Sequence, residues 1–117
     1  MRHHNNVRKF GRNKNQKVAL MNSLALNLIV REKIKTTEAK AKELRPFIEK
    51  IITRAKKDNI ANRRLVISKL SNRKKEVKKL FEVIAPKYLD KKGGYTRVIK
   101  LGVRKSDATM MAIIEFV

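Results

Sequence analysis

Apolar positions recur with helical spacing over most of this chain and with strand spacing only towards its end. Between residues 15 and 31, Leu20, Leu24 and Leu28 repeat every four positions, with Met21, Ala25 and Ile29 beside them, which predicts a helix with one broad buried face. Residues 32–36 (EKIKT) alternate around Ile34 and read either as a brief strand, the preferred reading, or as a connection. Thr37 is a candidate N-cap and Glu38 adds negative charge to a first turn. From there Ala41, Leu44, Ile48, Ile51, Ile52 and Ala55 keep helical spacing through Lys57. Pro46 removes one backbone donor inside that stripe, predicting a kink or a break near Arg45.

Asp58 or Asn59 can cap a third helix over residues 60–70, with Ala61, Leu65 and Leu70 inward and Arg63, Arg64 and Lys69 outward. Ser71 and Asn72 punctuate the chain. Val77, Leu80, Phe81, Ile84 and Ala85 then fit a fourth helical stripe, which Pro86 is expected to end. Beyond residue 88 the period changes. After Gly93 and Gly94, residues 95–101 (YTRVIKL) are rich in β-formers. In residues 109–117, Met110, Ala112, Ile114 and Phe116 alternate onto one apolar face. Gly102, Ser106 and Asp107 between these runs predict a hairpin. Helices first and a hairpin last imply an α+β domain: about four helices packed on a small antiparallel or mixed sheet.

Composition changes the picture at the amino end. Residues 1–17 carry Arg2, Arg8, Lys9, Arg12, Lys14 and Lys17, no acid, and only Met1, Val7 and Phe10 as apolar side chains. Such a segment buries too little surface to offset its ordering entropy. It reads as a basic arm (1–17) that becomes ordered on a polyanion, attached to a single globular body (18–117). The body is basic as well. The whole chain has a net charge of +21, and most of that excess lies after residue 17. Repulsion at this density weakens a free protein, and a phosphate backbone relieves it by releasing its own counterions. Nucleic acid is therefore the expected partner.

Other function classes fit less well. The absence of Trp argues against a membrane-surface helix, and the uncharged residues 18–30 are too few to span a bilayer. With no Cys there is no disulfide framework or thiolate metal site. Both histidines, His3 and His4, fall in the arm, where no rigid element positions them for proton transfer. A terminal amine with His3 could hold copper or nickel, but contact with phosphate accounts for Arg2 and His3 together. Gly93 and Gly94 lack the Lys-Ser/Thr ending of a phosphate loop. The carboxylates are scattered, and Glu38 with Lys42 reads as a surface pair. No catalytic site, metal, cofactor or small-molecule substrate is expected.

In the body, Arg63-Arg64, Arg73-Lys74-Lys75, Lys78-Lys79 and Lys91-Lys92 are each either solvated faces or phosphate contacts. Together they exceed what solubility requires. Phe47, Phe81 and Phe116 sit on apolar faces and read as core, while Tyr88 and Tyr95 stay open. Phe10 alone is placed to wedge against bases or sugars. The pattern favours reading RNA shape and backbone over stacking of single-stranded bases.

Several separated motifs then carry a family resemblance. They are Met1-Arg2-His3, Thr36-Thr37 followed by Lys40-Ala41-Lys42-Glu43-Leu44-Arg45, Lys79-Leu80-Phe81, and Gly93-Gly94-Tyr95-Thr96-Arg97. In this order, and nearly end to end, the chain resembles the bacterial large-subunit ribosomal proteins of the seventeenth family. It departs from their pattern at Val7, where Gly is common, and at Gln16-Lys17, where His-Arg is frequent; Gly11-Arg12 fits. The resemblance implies a globular body with a basic extension, bound in the cytoplasmic ribosome to large-subunit ribosomal RNA near the outer end of the peptide exit tunnel. It further implies neighbouring large-subunit proteins as partners, no homo-oligomer and no catalysis. Carried over residue by residue, Arg2, His3, Arg8, Lys9, Arg12 and Lys17 are expected RNA contacts, with Arg63, Arg64 and Arg97 in the body. Lys14 and Phe10 join them from the chemistry of the arm. A free RNA-binding regulator or chaperone is the alternative in the binding class, and a small nuclease would need a clustered acid or His site.

Overall fold

A computed structural model describes residues 13–117. Helix α1 (Lys14–Arg31) opens on a reciprocal cap: the Asn13 side chain accepts from the Gln16 amide, and the Gln16 side chain accepts from the Asn13 amide. Its buried row is Met21, Asn22, Ala25, Leu28 and Ile29, with Leu20 and Leu24 half-buried at its margin. The Asn22 side chain donates through Nδ2 to Ser71 Oγ and so ties α1 to a distant turn. Glu32 closes the helix in the left-handed region, with φ 63°, and turns the chain into strand β1 (Lys33–Thr37). The EKIKT segment is thus a strand.

Helix α2 (Glu38–Ala55) is capped by Thr37, whose hydroxyl accepts from the Lys40 amide. All six positions of its expected stripe, from Ala41 to Ala55, are buried. Pro46 does not divide it. The ring is exposed, and Leu44 and Ile48 anchor the helix in the core on either side of it, so packing offsets the lost backbone bond.

Helix α3 (Ile60–Lys69) is capped by Asn59, which accepts from the Asn62 amide. Its face corrects the expectation. Val66 and Leu70 are buried and Ile67 is half-buried, whereas Ala61 and Leu65 are exposed. Leu65 lies about 100° round the helix from Val66, and a short helix with apolar residues on both sides allows either stripe. Arg63 belongs with the inward row: its guanidinium lies over the Phe81 ring, 5.1 Å from the centroid.

Helix α4 (Lys74–Lys79) passes into a π turn (Leu80–Ile84), in which the Ala85 amide bonds the Leu80 carbonyl, and then into a 3-10 turn (Ala85–Tyr88). Val77, Leu80, Phe81, Ile84 and Ala85 are all buried. Pro86 does not stop the winding. The wider turn before it changes the bonding pattern, so the missing donor falls near the start of a new turn.

Strands β2 (Thr96–Val103) and β3 (Met110–Phe116) form the hairpin, interrupted by a bulge between Lys100 and Gly102, whose φ is 95°. The sheet is antiparallel throughout, in the order β1-β3-β2. Thr96, Ala112 and Ile114 are buried, with Ile34, Val98 and Phe116 packed against the same core. Met110 is exposed, not on that face: it pairs with Val103 at the far end of the hairpin, beyond the bulge. Tyr88 and Tyr95, left open by the sequence, are both core. Their rings meet at 5.3 Å, and the Tyr88 hydroxyl donates to the Val117 carbonyl.

Candidate nucleic-acid interface

Where the few acids are spent decides which cations remain available. Glu32 holds Lys79 at 3.3 Å and Lys87 at 3.6 Å; Glu38 holds Lys42 at 2.8 Å and Lys100 at 3.5 Å. Asp58 takes Arg63 through both carboxylate oxygens, at 2.6 and 2.8 Å. Asp107 takes Arg104 in the same two-pronged way, at 2.9 and 2.6 Å. Glu115 meets Arg97 across the hairpin at 3.4 Å. Glu49 accepts from the Thr96 amide and hydroxyl and from Arg45 Nε. Among the described residues no group of three His, Cys, Asp or Glu could hold a metal. No helix among them is long and apolar enough to cross a membrane.

These contacts hold several carboxyl groups below their ordinary pKa. Asp58 is lowered by its hydrogen bond from Arg63, Asp107 by that from Arg104, Glu32 by that from Lys79 and Glu38 by that from Lys42. The unfolded chain therefore takes up protons first as pH falls. The stability these groups supply is complete above the ordinary carboxylate range near 4 and is lost as pH drops through their folded values. The denaturation midpoint should accordingly be flat from about pH 6 to 8 and fall below about pH 4, read by urea titration at a series of pH values. A midpoint unchanged at pH 3 would show that the exposed pairs contribute nothing.

The expected contacts separate into three groups. Lys14 and Lys17 sit in the first turns of α1, Lys14 exposed and Lys17 half-buried. Arg64 is exposed, whereas Arg63 and Arg97 already hold carboxylates, with 35% and 58% of their side chains still open to solvent. Arg2, His3, Arg8, Lys9, Phe10 and Arg12 lie outside the described residues.

A further set emerges only in three dimensions. A groove of about 760 Å³ runs between α2, α3 and the turn at residues 91–94, with Lys50, Arg54, Lys57, Lys69 and Lys92 around it and Tyr95 in its wall. All five cations are exposed. The sequence carries one usable signal for them. In the expected helix through Lys57, Lys50, Arg54 and Lys57 fall at i, i+4 and i+7, opposite the apolar stripe and so on one outer face, although α2 itself ends at Ala55. Nothing in the sequence joins Lys69 and Lys92 to that row.

Comparison with known proteins gives the family. The model of the family described as ribosomal protein L17 matches residues 20–117. The large ribosomal subunit protein bL17 of Sphingopyxis alaskensis is 50% identical over 117 residues, covering all of this chain and 84% of the relative. That of Zymomonas mobilis is 51% identical over 117 residues, covering all of this chain and 83% of the relative. That of Hydrogenobaculum sp. is 51% identical over 118 residues, with 100% and 99% covered. Similarity of this extent, over helices, hairpin and the amino-terminal segment alike, means that the chain belongs to the ribosomal protein L17 family.

Proposed function

We propose that this protein is a structural component of the large ribosomal subunit in the cytoplasm, where it binds and stabilises folded ribosomal RNA near the outer end of the peptide exit tunnel. It works by neutralising phosphates, not by turnover. The observation that carries this reading is the distribution of charge: Glu32, Glu38, Glu49, Asp58, Asp107 and Glu115 hold cations locally, and cations on α1, α2, α3 and the 91–94 turn are left without ion-pair partners among the described residues. Family membership supplies the particle, since the relatives are named as large-subunit proteins. Residues 1–17 act as the basic arm, whose last four residues already form the first turn of α1, and residues 18–117 as the body, with Arg2, His3, Arg8, Lys9, Phe10, Arg12, Lys14, Lys17, Arg63, Arg64 and Arg97 at the interface. Neighbouring large-subunit proteins are the further partners.

Sedimentation tests the reading. The full chain should travel with large subunits at physiological salt, and a chain lacking residues 1–12 should be stripped from them at lower salt. Its RNA affinity should lose about three units of log-log salt slope, roughly 0.7–0.9 for each of Arg2, Arg8, Lys9 and Arg12. Recovery of the full chain only in the free fraction would refute the proposal. An unchanged slope would remove the arm from it.

A further inference from the structure

Resting on that RNA-binding reading, we infer that the groove between α2, α3 and the 91–94 turn is a preformed cleft for two or three consecutive phosphates of an RNA strand. Its cations come from three walls: Lys50 and Arg54 on α2 with Lys57 just past its end, Lys69 at the end of α3, and Lys92 on the turn. Neighbours at i, i+4 on a helix have Cβ atoms about 5–6 Å apart, so the α2 row presents a line of charge rather than a point. None of the five forms an ion pair among the described residues, in contrast to Lys42, Arg63, Lys79, Arg97 and Arg104 elsewhere. The one acid in the groove, Glu49, directs a carboxylate oxygen to the Thr96 amide (3.3 Å), the Thr96 hydroxyl (3.0 Å) and Arg45 Nε (3.4 Å). Five like charges around one concavity repel until an anion enters it.

The walls are held before any ligand arrives. The Lys56 ammonium donates to the Lys91 carbonyl and to the Tyr95 hydroxyl, and lies 5.1 Å from the Tyr95 ring centroid. That pins the turn carrying Lys92 against α2. The Asn62 side chain donates through Nδ2 to the Lys57 carbonyl at 2.9 Å and pins the start of α3 to the segment just past the end of α2. The cations therefore stand on fixed backbone, and less ordering remains to be done on binding. The groove falls within the size range of small-ligand sites, about 300–1,000 Å³, which suits a short run of backbone rather than a duplex.

The test compares two triple variants of the full chain on protein-free large-subunit ribosomal RNA, with affinity measured across a salt series. Lys50→Gln/Arg54→Gln/Lys92→Gln empties the cleft. Lys74→Gln/Lys75→Gln/Lys78→Gln removes the same charge from α4, where all three side chains are exposed. The cleft variant should lose about two units of salt slope and at least tenfold in affinity, the α4 variant less than one unit. Without RNA and at low salt, the cleft variant should melt no lower than the parent, because repulsion has been removed. Equal losses in the two variants, or an unchanged slope in the first, would overturn the cleft while leaving RNA binding in place. Failure of the parent chain itself to bind the RNA would overturn the functional reading and the cleft with it.

Discussion

Replacing Ile48 with alanine should cost the free protein about 2–5 kcal/mol, read as a fall in the urea midpoint. Ile48 is fully buried and lies in α2 between Leu44 and Ile52, which are equally closed to solvent. That helix is the common support, packing on β2 and β3 on one side and on α1 and α3 on others. A cavity there cannot be refilled by a shift of one neighbour. The loss also falls on a small reserve, since domains of this kind hold only about 5–15 kcal/mol in total and this one carries +21 of self-repelling charge. The variant should accordingly be far more folded at 500 mM salt, where screening acts within a few ångströms. Leu65→Ala is the control: with Leu65 38% exposed on the outer side of α3, it should cost less than about 1 kcal/mol. A similar loss in both would contradict the observed face of α3.

Tyr95→Ala should be comparably severe, about 3–5 kcal/mol by analogy with other large aromatic deletions. The ring is fully buried, packs against Tyr88, and stands at the joint of α2, the 91–94 turn and β2. Its backbone carbonyl also receives the Val117 amide at 2.9 Å. Tyr95→Phe separates packing from polarity. It keeps the ring and removes only the hydroxyl, which lies 3.1 Å from Thr53 Oγ1 and 3.0 Å from Lys56 Nζ. Thr53 is exposed and Lys56 partly so, and both can turn to water, so the cost should be near 1 kcal/mol. The hydroxyl itself should titrate below its ordinary value. Burial raises its pKa, but the hydrogen bonds from Thr53 and Lys56, with the charge of Lys56, outweigh that. An ultraviolet titration in which Tyr95 ionises above free tyrosine would contradict this geometry.

Legibility followed the range of the interactions. The α2 stripe, the Thr37 cap, the α3 cap to within Asp58 or Asn59, and the hairpin could be read because each depends on residues within a few positions of one another. The face of α3 could not, since ten residues with apolar side chains on opposite sides do not say which side meets α2. The π turn is equally silent: Leu80, Phe81, Ile84 and Ala85 make the same stripe whether or not the helix widens. The site divides in the same way. The basic arm and the general attraction to phosphate follow from charge alone. That Arg63 would be tied to Asp58, and Arg97 to Glu115, depends on how the chain turns. The groove required positions 50–57, 69 and 92 to be brought together by a helix pair and a pinned turn.

The strand order carries a consequence for how the molecule is made. β3 is the middle strand, yet it follows every other element along the chain; Lys33 of β1 has to find Glu115, and the Glu32 carbonyl the Phe116 amide. During synthesis α1 and α2 can pair, and the fourth helical stretch can join them, while both prospective edge strands wait without partners. The hairpin then forms locally, and β1 docks last across most of the chain's length, the slow kind of step in which loop-closure entropy is spent before contacts return it. Kinetic control of folding thus rests with the final strand, and a nascent chain stalled before residue 110 carries its helices but no sheet.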